Sequence, residues 1–321
     1  MQGGPYNILT FDTHERYQTQ LCKTGHNFYS FRYEDCKEWD EDYAAIPENY
    51  CIMPPNNLIK GVEIDLILSQ SKWGQIQAAH RISNALGGTP IVSLEHTLPL
   101  DHWDHHTLEQ FKSMNGDINV FISEFSRDKW GIFKAPMVVH HSVDTELFCP
   151  DPDVTKKKHA LSVVNDWINR DYCCNYTGWT RITEGLPTRV VGKTEGLSEP
   201  APNIEALVKE YQSAAVFLNT STVSPVPSCL LEAMACGCAV VTTETCMIPE
   251  IIEHGQNGFM SNDEEELRQY TEKLLEEPQL AEKMGACARQ TIIEKFGEEQ
   301  FIANWNNIFD KAFKYAGTCI L

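Results

Sequence analysis

Among the 321 residues, the side chains best placed by type and spacing to do chemistry lie between Asn219 and Phe259, in the run NTSTVSPVPSCLLEAMACGCAVVTTETCMIPEIIEHGQNGF. A strand ending at Thr220 or Ser221 gives way to a proline-rich polar turn. A helix is then expected near Ser224 or Ser228, with proline in its first turn. A helix N-terminus at a strand's carboxyl end attracts anions. Glu232 follows Ser224 by a spacing of roughly 12 Å if the segment were fully helical. From the residues alone two readings of Glu232 stand side by side. It is a carboxylate offered to ligand hydroxyls, or a solvated position on a helix whose Leu230, Leu231, Ala233, Met234 and Ala235 are core.

Other polar groups fall at the ends of apolar runs. His96 closes PIVSLEH, where it is either a ligand contact or a satisfied loop residue. His14, Glu15 and Arg16 follow the first strand and are acceptor-binding candidates or loop polar groups. The run LDHWDHHTLEQF holds His102, His105 and His106 with Asp101 and Asp104, and His102 and His106 are an i, i+4 pair. No third ligand has metal-site spacing, so no metal is expected. The chain lacks G-x-x-x-x-G-K-[ST], G-x-G-x-x-G and G-x-S-x-G, which leaves kinase, dehydrogenase and hydrolase readings without support.

The elements that position these groups alternate. NILTF, DLILS, PIVSLEH, INVFISE and PMVVHHSV are short apolar runs typical of buried parallel strands. Between them, WGQIQAAHRISNALGG has helical spacing and a glycine stop. After the Pro- and Lys-rich connection FCPDPDVTKKKH a second series begins: HALSVVN, TRVVGK, AAVFLNTS and CAVVTTE as strands, with helices at 204–212, 227–237 and 263–278. The expected fold class is α/β, two Rossmann-like doubly wound domains facing a central cleft. The expected division is 1–147 as an acceptor-side domain and 148–300 as a second domain. Residues 301–321 form a C-terminal helix too apolar for a free tail, packing back on the first domain.

Twenty-six Lys and Arg against 45 Asp and Glu give a net charge of −19, which disfavours nucleic acid and anionic lipid surfaces as partners. Twelve cysteines include no C-x-x-C pair and read as reduced thiols. No apolar run approaches the ~18 residues of a membrane span, and a cytoplasmic location is expected.

LLEAMACG at 230–237, followed by VVTT, PEII and HGQNGF, resembles the donor-binding signature of the retaining GT-B glycosyltransferases of family four. HHSVDTELFCP (140–150) is similar to the segment that closes that family's first domain, and ISEFSRDKWG to the segment upstream of it. The likeness runs from Pro90 to the C-terminus. It implies a GT-B enzyme that moves a sugar from a nucleotide-sugar donor to an acceptor hydroxyl with retention of configuration, using no resident cofactor and no metal. In the family two glutamates at Glu-(x)7-Glu spacing contact the donor sugar and the ribose. Glu232 holds the second position, while the first is Ser224. Ser224 and His96 are then assigned to the sugar, Glu232 to the ribose, and Arg170 and Lys193 to the diphosphate. His96, Ser224 and Glu232 form the catalytic set. The donor is expected to be a UDP- or GDP-sugar, and the acceptor a glycan, a lipid-linked sugar or a small molecule. Rivals are a sugar-nucleotide-binding scaffold without transfer activity, motivated by Ser224, and a transferase acting on modified nucleic acid, which the charge opposes.

Overall fold

The structure is a computed structural model that describes residues 4–11, 14–33, 38–41 and 44–318. The chain divides into two compact units, Met1–His141 with Glu299–Leu321, and Ser142–Glu298.

The first unit contains β1 (Asn7–Phe11), α1 (Glu15–Cys22), β2 (Asn27–Phe31), β3 (Tyr50–Ile52), β4 (Leu66–Ser69), α2 (Gln75–Ala85), β5 (Ile91–Glu95), α3 (His105–Ser113), β6 (Ile118–Phe121), α4 (Glu124–Trp130) and β7 (Pro136–Val138). Its seven strands pair in parallel in the order β3-β2-β1-β4-β5-β6-β7. The order reverses between β1 and β4, where Ile8 faces Leu66 and Leu9 faces Ile67. Strands covered on both faces cannot alternate polar and apolar residues. Leu66, Ile67 and Leu68 are all fully buried.

The second unit contains β8 (Lys157–Val163), α5 (Asp171–Cys174), α6 (Tyr176–Ile182), β9 (Thr188–Val191), α7 (Ile204–Ser213), β10 (Ala214–Asn219), α8 (Ser228–Ala235), β11 (Ala239–Thr242), α9 (Ile248–Ile251), β12 (Phe259–Met260), α10 (Glu264–Glu276) and α11 (Pro278–Lys295). Its parallel order is β12-β11-β10-β8-β9, reversing between β8 and β10. Close backbone approach fixes where α11 lies, since a Cβ on Gly285 would stand 2.2 Å from the Gly237 carbonyl oxygen. Arg289 of α11 donates to the carbonyls of Phe148, Ala235 and Thr145, so a cation satisfies the C-terminus of α8.

The last helix, α12 (Glu298–Thr318), is counted with the first unit. Trp305, Ile308 and Phe309 are fully buried on it. Phe309 meets His26 at 5.4 Å, and the Tyr6 hydroxyl donates to Asp310 at 2.8 Å.

The sequence reading gives no strand at β2, β3 or β12. The last two are three and two residues long, too short for any period to register. In β2 only Phe28 and Ser30 are buried, so NFYSF reads as a mixed loop.

Candidate functional site

In the second unit the segments that follow β8, β9 and β10 are tied together by hydrogen bonds, and they carry three of the five residues chosen from the sequence. After β8 the chain turns through Asp166, held at φ +51°. The Asp166 N–H donates to the Lys193 carbonyl at 2.7 Å, and the Asp166 carbonyl accepts from the Arg170 N–H at 3.0 Å. The Lys193 N–H in turn donates to Asn165 Oδ1 at 2.8 Å. Two exposed cations are thereby tied to one turn. Neither forms an ion pair with a carboxylate among the described residues, unlike Arg181 on Glu264 and Arg189 on Glu210. The turn depends on Gly192 at φ +132°, where a Cβ would lie 2.1 Å from the Val164 carbonyl oxygen.

The loop that carries Ser224 is held by the same region. The N–H groups of Thr222 and Val223 donate to the Cys173 carbonyl at 2.9 and 3.2 Å, and the Thr220 hydroxyl donates to the Cys174 carbonyl at 3.1 Å. Cys173 and Cys174 belong to α5, which starts immediately after Arg170. A buried polar seam closes the base: Asn219 Nδ2 donates to Thr242 Oγ1 at 2.8 Å, and the Ser221 carbonyl accepts from the hydroxyls of Thr243 and Thr245. Arg170, Lys193 and Ser224 therefore rise from one interlaced set of turns.

Glu232 differs from the sequence reading in two respects. The helix begins at Ser228 with Pro227 at its cap, so residues 224–227 are not helical and the 12 Å span of a continuous helix does not apply. Nor is Glu232 solvated: it is 6% exposed, and its Oε2 accepts from the Tyr211 hydroxyl at 2.9 Å. Tyr211 is the residue that sequence reasoning missed. It shares the buried face of α7 with Leu207 and Val208, so its position reads as core and nothing marks its hydroxyl as a partner for a carboxylate.

His96, in the first unit, directly follows β5. Its neighbour Glu95 is 1% exposed and accepts from the Thr97 N–H at 2.9 Å, the Thr97 hydroxyl at 2.6 Å and the Lys72 N–H at 3.1 Å. Burial raises the Glu95 carboxyl above its usual range, and these donors oppose the rise. Lys72 is equally buried and donates to the Met114 carbonyl; burial lowers its ammonium to about 8. Burial also holds His96 well below the ordinary imidazole value, with His141 and His14 adding to the effect. Of the loop candidates, Glu15 is buried and accepts from the Asp40 N–H at 3.3 Å, while His14 is exposed.

A cavity of about 460 Å³ in the second unit lies along β9, lined by Val191, Leu197, Pro200, Pro202 and Ala206 among others; none of the four chosen residues of this unit lines it. Among the described residues no three His, Cys, Asp or Glu are grouped to hold a metal ion, the His102–His106 run included. No helix among them is long and apolar enough to cross a membrane.

Two parallel doubly wound units of this kind define a structural class, and comparison with solved structures identifies it. Sucrose-phosphate synthase from Thermosynechococcus elongatus matches with a TM-score of 0.74 at 12% identity, covering 97% of this chain and 100% of that one. The Anabaena protein HepE in complex with UDP matches with a TM-score of 0.73 at 14% identity, covering 95% and 100%. The fold is GT-B.

Within that class, residues 201–291 match the family model described as glycosyl transferases group 1. N-acetyl-alpha-D-glucosaminyl L-malate synthase of Bacillus anthracis is 34% identical over 82 residues, 25% of this chain. The matched stretch spans only 22% of that relative's length.

Proposed function

We propose that the protein is a glycosyltransferase that moves a sugar from a nucleotide-sugar donor to an acceptor hydroxyl with retention of anomeric configuration. The observation that carries this reading is the family match over 201–291, which contains Ser224 and the buried carboxylate of Glu232. In this reading the second unit binds the donor. Arg170 and Lys193, tied to one turn and without an ion-pair partner among the described residues, take the diphosphate, whose developing charge needs fixed positive groups. Glu232 takes the ribose hydroxyls. Ser224 and His96 keep their assignment to the sugar. The first unit supplies the acceptor side. The acceptor hydroxyl attacks from the side on which the diphosphate leaves, and the protein's work is orientation and stabilisation of that leaving group. The UDP complexes of HepE favour a UDP-sugar. The free thiols of the described cysteines support a reducing, cytoplasmic compartment.

The test is thermal stabilisation by UDP-, GDP-, ADP- and CMP-sugars, since a ligand at a hundred times its dissociation constant adds ~2.7 kcal/mol. A shift with one nucleotide that vanishes in Glu232→Ala, followed by turnover with an acceptor panel, supports transfer. Ser224 in the place of a carboxylate favours a second reading, a sugar-nucleotide-binding protein without transfer. Binding with no turnover and no hydrolysis would select it.

A further inference from the structure

Four aromatic rings of the first unit lead from its core to its surface. Trp130 is fully buried, and Trp103, in the segment between β5 and α3, lies edge-on to it at 6.2 Å. Trp103 stacks on Phe111 of α3 at 4.5 Å, and both pack against the cluster of Phe121, Trp130 and Ile132. Trp73 rests on those two rings in turn, 5.5 Å from Trp103 and 4.7 Å from Phe111. It is 52% exposed, whereas the other three are buried or half-buried.

Trp73 lies between β4 and α2, and Trp103 follows β5, the strand that pairs with β4. Both rings thus belong to segments at the carboxyl ends of adjacent parallel strands, the end at which doubly wound sheets take ligands. Beside Trp73 the chain turns through Gly74 at φ +78°, where a Cβ would meet no atom within 4 Å. The space next to the indole is open. A single exposed apolar residue is ordinary; Trp73 differs in being braced by two rings at that edge.

Size and charge limit what covers it. One half-exposed ring offers far less area than the roughly 800 Å² per partner of a stable protein interface. Trp103 is flanked in the chain by His102 and Asp104, and His105 and His106 follow, all four exposed. The three imidazoles make no hydrogen bond to a described group. The lysines of α3 and α4 are held by carboxylates, Lys112 by Glu109 at 3.1 Å and Lys129 by Asp101 at 2.8 Å. The surround offers hydrogen bonds rather than positive charge. A pyranose matches both features: its C–H face is drawn to the negative face of an indole, and its hydroxyls bond to imidazole and carboxylate.

We propose that Trp73, braced by Trp103 and Phe111, is the platform on which an uncharged pyranose ring of a soluble saccharide acceptor stacks. The polar groups of residues 102–106 bond its hydroxyls. The proposal rests on the reading in which the first unit supplies the acceptor side.

Fluorine spectra of the full chain labelled with 5-fluorotryptophan test it, Trp73→Phe assigning one of the seven tryptophan signals. The probes are maltotriose, cellotriose and chitotriose. Glycerol, inorganic phosphate and phosphatidylcholine vesicles containing phosphatidylglycerol are the controls. The expected result is a saturable shift of the Trp73 signal with at least one trisaccharide and none with the controls. With that trisaccharide as acceptor, Trp73→Ala should raise its KM about ten-fold or more while kcat changes less than about three-fold, and Trp73→Tyr, which keeps an aromatic face, should recover most of the loss. A tryptophan that only anchors α3 would lower the unfolding midpoint and leave KM alone. A Trp73 signal unmoved by all three trisaccharides, one moved by vesicles or phosphate, or an unchanged KM in Trp73→Ala overturns the proposal. The two readings fail separately. Nucleotide-sugar binding that Glu232→Ala abolishes, with Trp73 unmoved by every trisaccharide, keeps the donor reading and removes the platform. Trisaccharide binding at Trp73 in a chain that binds no nucleotide sugar keeps the platform as a saccharide site and overturns the transferase reading.

Discussion

Glu232 is the buried hydrogen-bond partner of Tyr211, and the proposed function also makes it a ligand group for a ribose; one substitution would confound the two roles. The structure allows them to be separated. Tyr211 is fully buried, Glu232 is 6% exposed, and their oxygens are 2.9 Å apart. A hydrogen bond to a charged acceptor contributes about 1.5–3 kcal/mol, and an orphaned buried hydroxyl costs about 1–3 kcal/mol. Tyr211→Phe removes the donor with little change of shape and should destabilise the second unit by about 1–2 kcal/mol. Glu232→Ala orphans the hydroxyl and opens a cavity, for about 2–5 kcal/mol. Glu232→Gln keeps an acceptor of the same shape and should cost about 1 kcal/mol or less. The two truncations share one interaction, so their sum should exceed the double variant by about 1–2 kcal/mol. Urea unfolding followed by tryptophan emission reads this, because Trp167 and Trp179 sit in the core of the same unit. The ligand role then shows in Glu232→Gln, which should stay folded yet bind the nucleotide sugar roughly ten-fold or more weakly for want of a charged acceptor. Strict additivity of Tyr211→Phe with Glu232→Ala, or a neutral Tyr211→Phe, refutes the pairing. Wild-type affinity in Glu232→Gln refutes the ribose contact.

Gly192→Ala places a Cβ 2.1 Å from the Val164 carbonyl oxygen at φ +132° and should cost about 3 kcal/mol or more; calorimetry should show the lost stability, and nucleotide titration a weaker diphosphate site, since Lys193 is the next residue. The stability of the first unit should depend on pH through His96 and His141. Both are depressed from 6.5, so the unfolded chain takes up protons first and stability falls as pH drops below about 6.5, each ring contributing a slope of up to ~1.4 kcal/mol per pH unit. Unfolding midpoints from pH 7 to 4.5 check this, and His141→Gln should remove one ring's share of the slope; an unchanged slope contradicts its burial. Ser224→Glu should leave stability within about 0.5 kcal/mol, because the Ser224 hydroxyl bonds to no described group. It should change which donor sugar is preferred, read as relative affinities across a nucleotide-sugar panel; an unchanged order would remove Ser224 from the sugar contact.

The α/β class was legible because buried parallel strands announce themselves: NILTF is β1 itself, and the runs at 65–69, 90–96, 214–221 and 238–244 each contain an observed strand. The runs are too long at their carboxyl ends, since Thr220 and Ser221 of AAVFLNTS and Thr243 and Glu244 of CAVVTTE lie beyond the ends of β10 and β11. Helices on a single apolar face were legible for the same reason of periodicity, as at α7 and α10. The short α5 was not. DYCC has four residues, no period to detect, and its importance lies in backbone carbonyls that every sequence possesses.

That last point explains why Ser224 can depart from a glutamate without loss of the loop that carries it. Nothing in the placement of residues 220–224 depends on the side chain at 224. The loop is hung from the Cys173 and Cys174 carbonyls by the N–H groups of Thr222 and Val223 and the Thr220 hydroxyl. Those carbonyls are set by a turn that also ties Arg170 to Lys193 through Asp166. The turn that carries Arg170 and Lys193 and the loop that carries Ser224 are thus one hydrogen-bonded unit, and none of its bonds uses the side chain of residue 224. Glu232 is in the opposite situation. Its carboxylate is part of the packing of α7 against α8 through Tyr211, so exchanging it disturbs the fold as well as the site. If the proposed donor reading holds, selectivity can change at 224 at small structural cost, whereas truncation at 232 also costs the Tyr211 hydrogen bond.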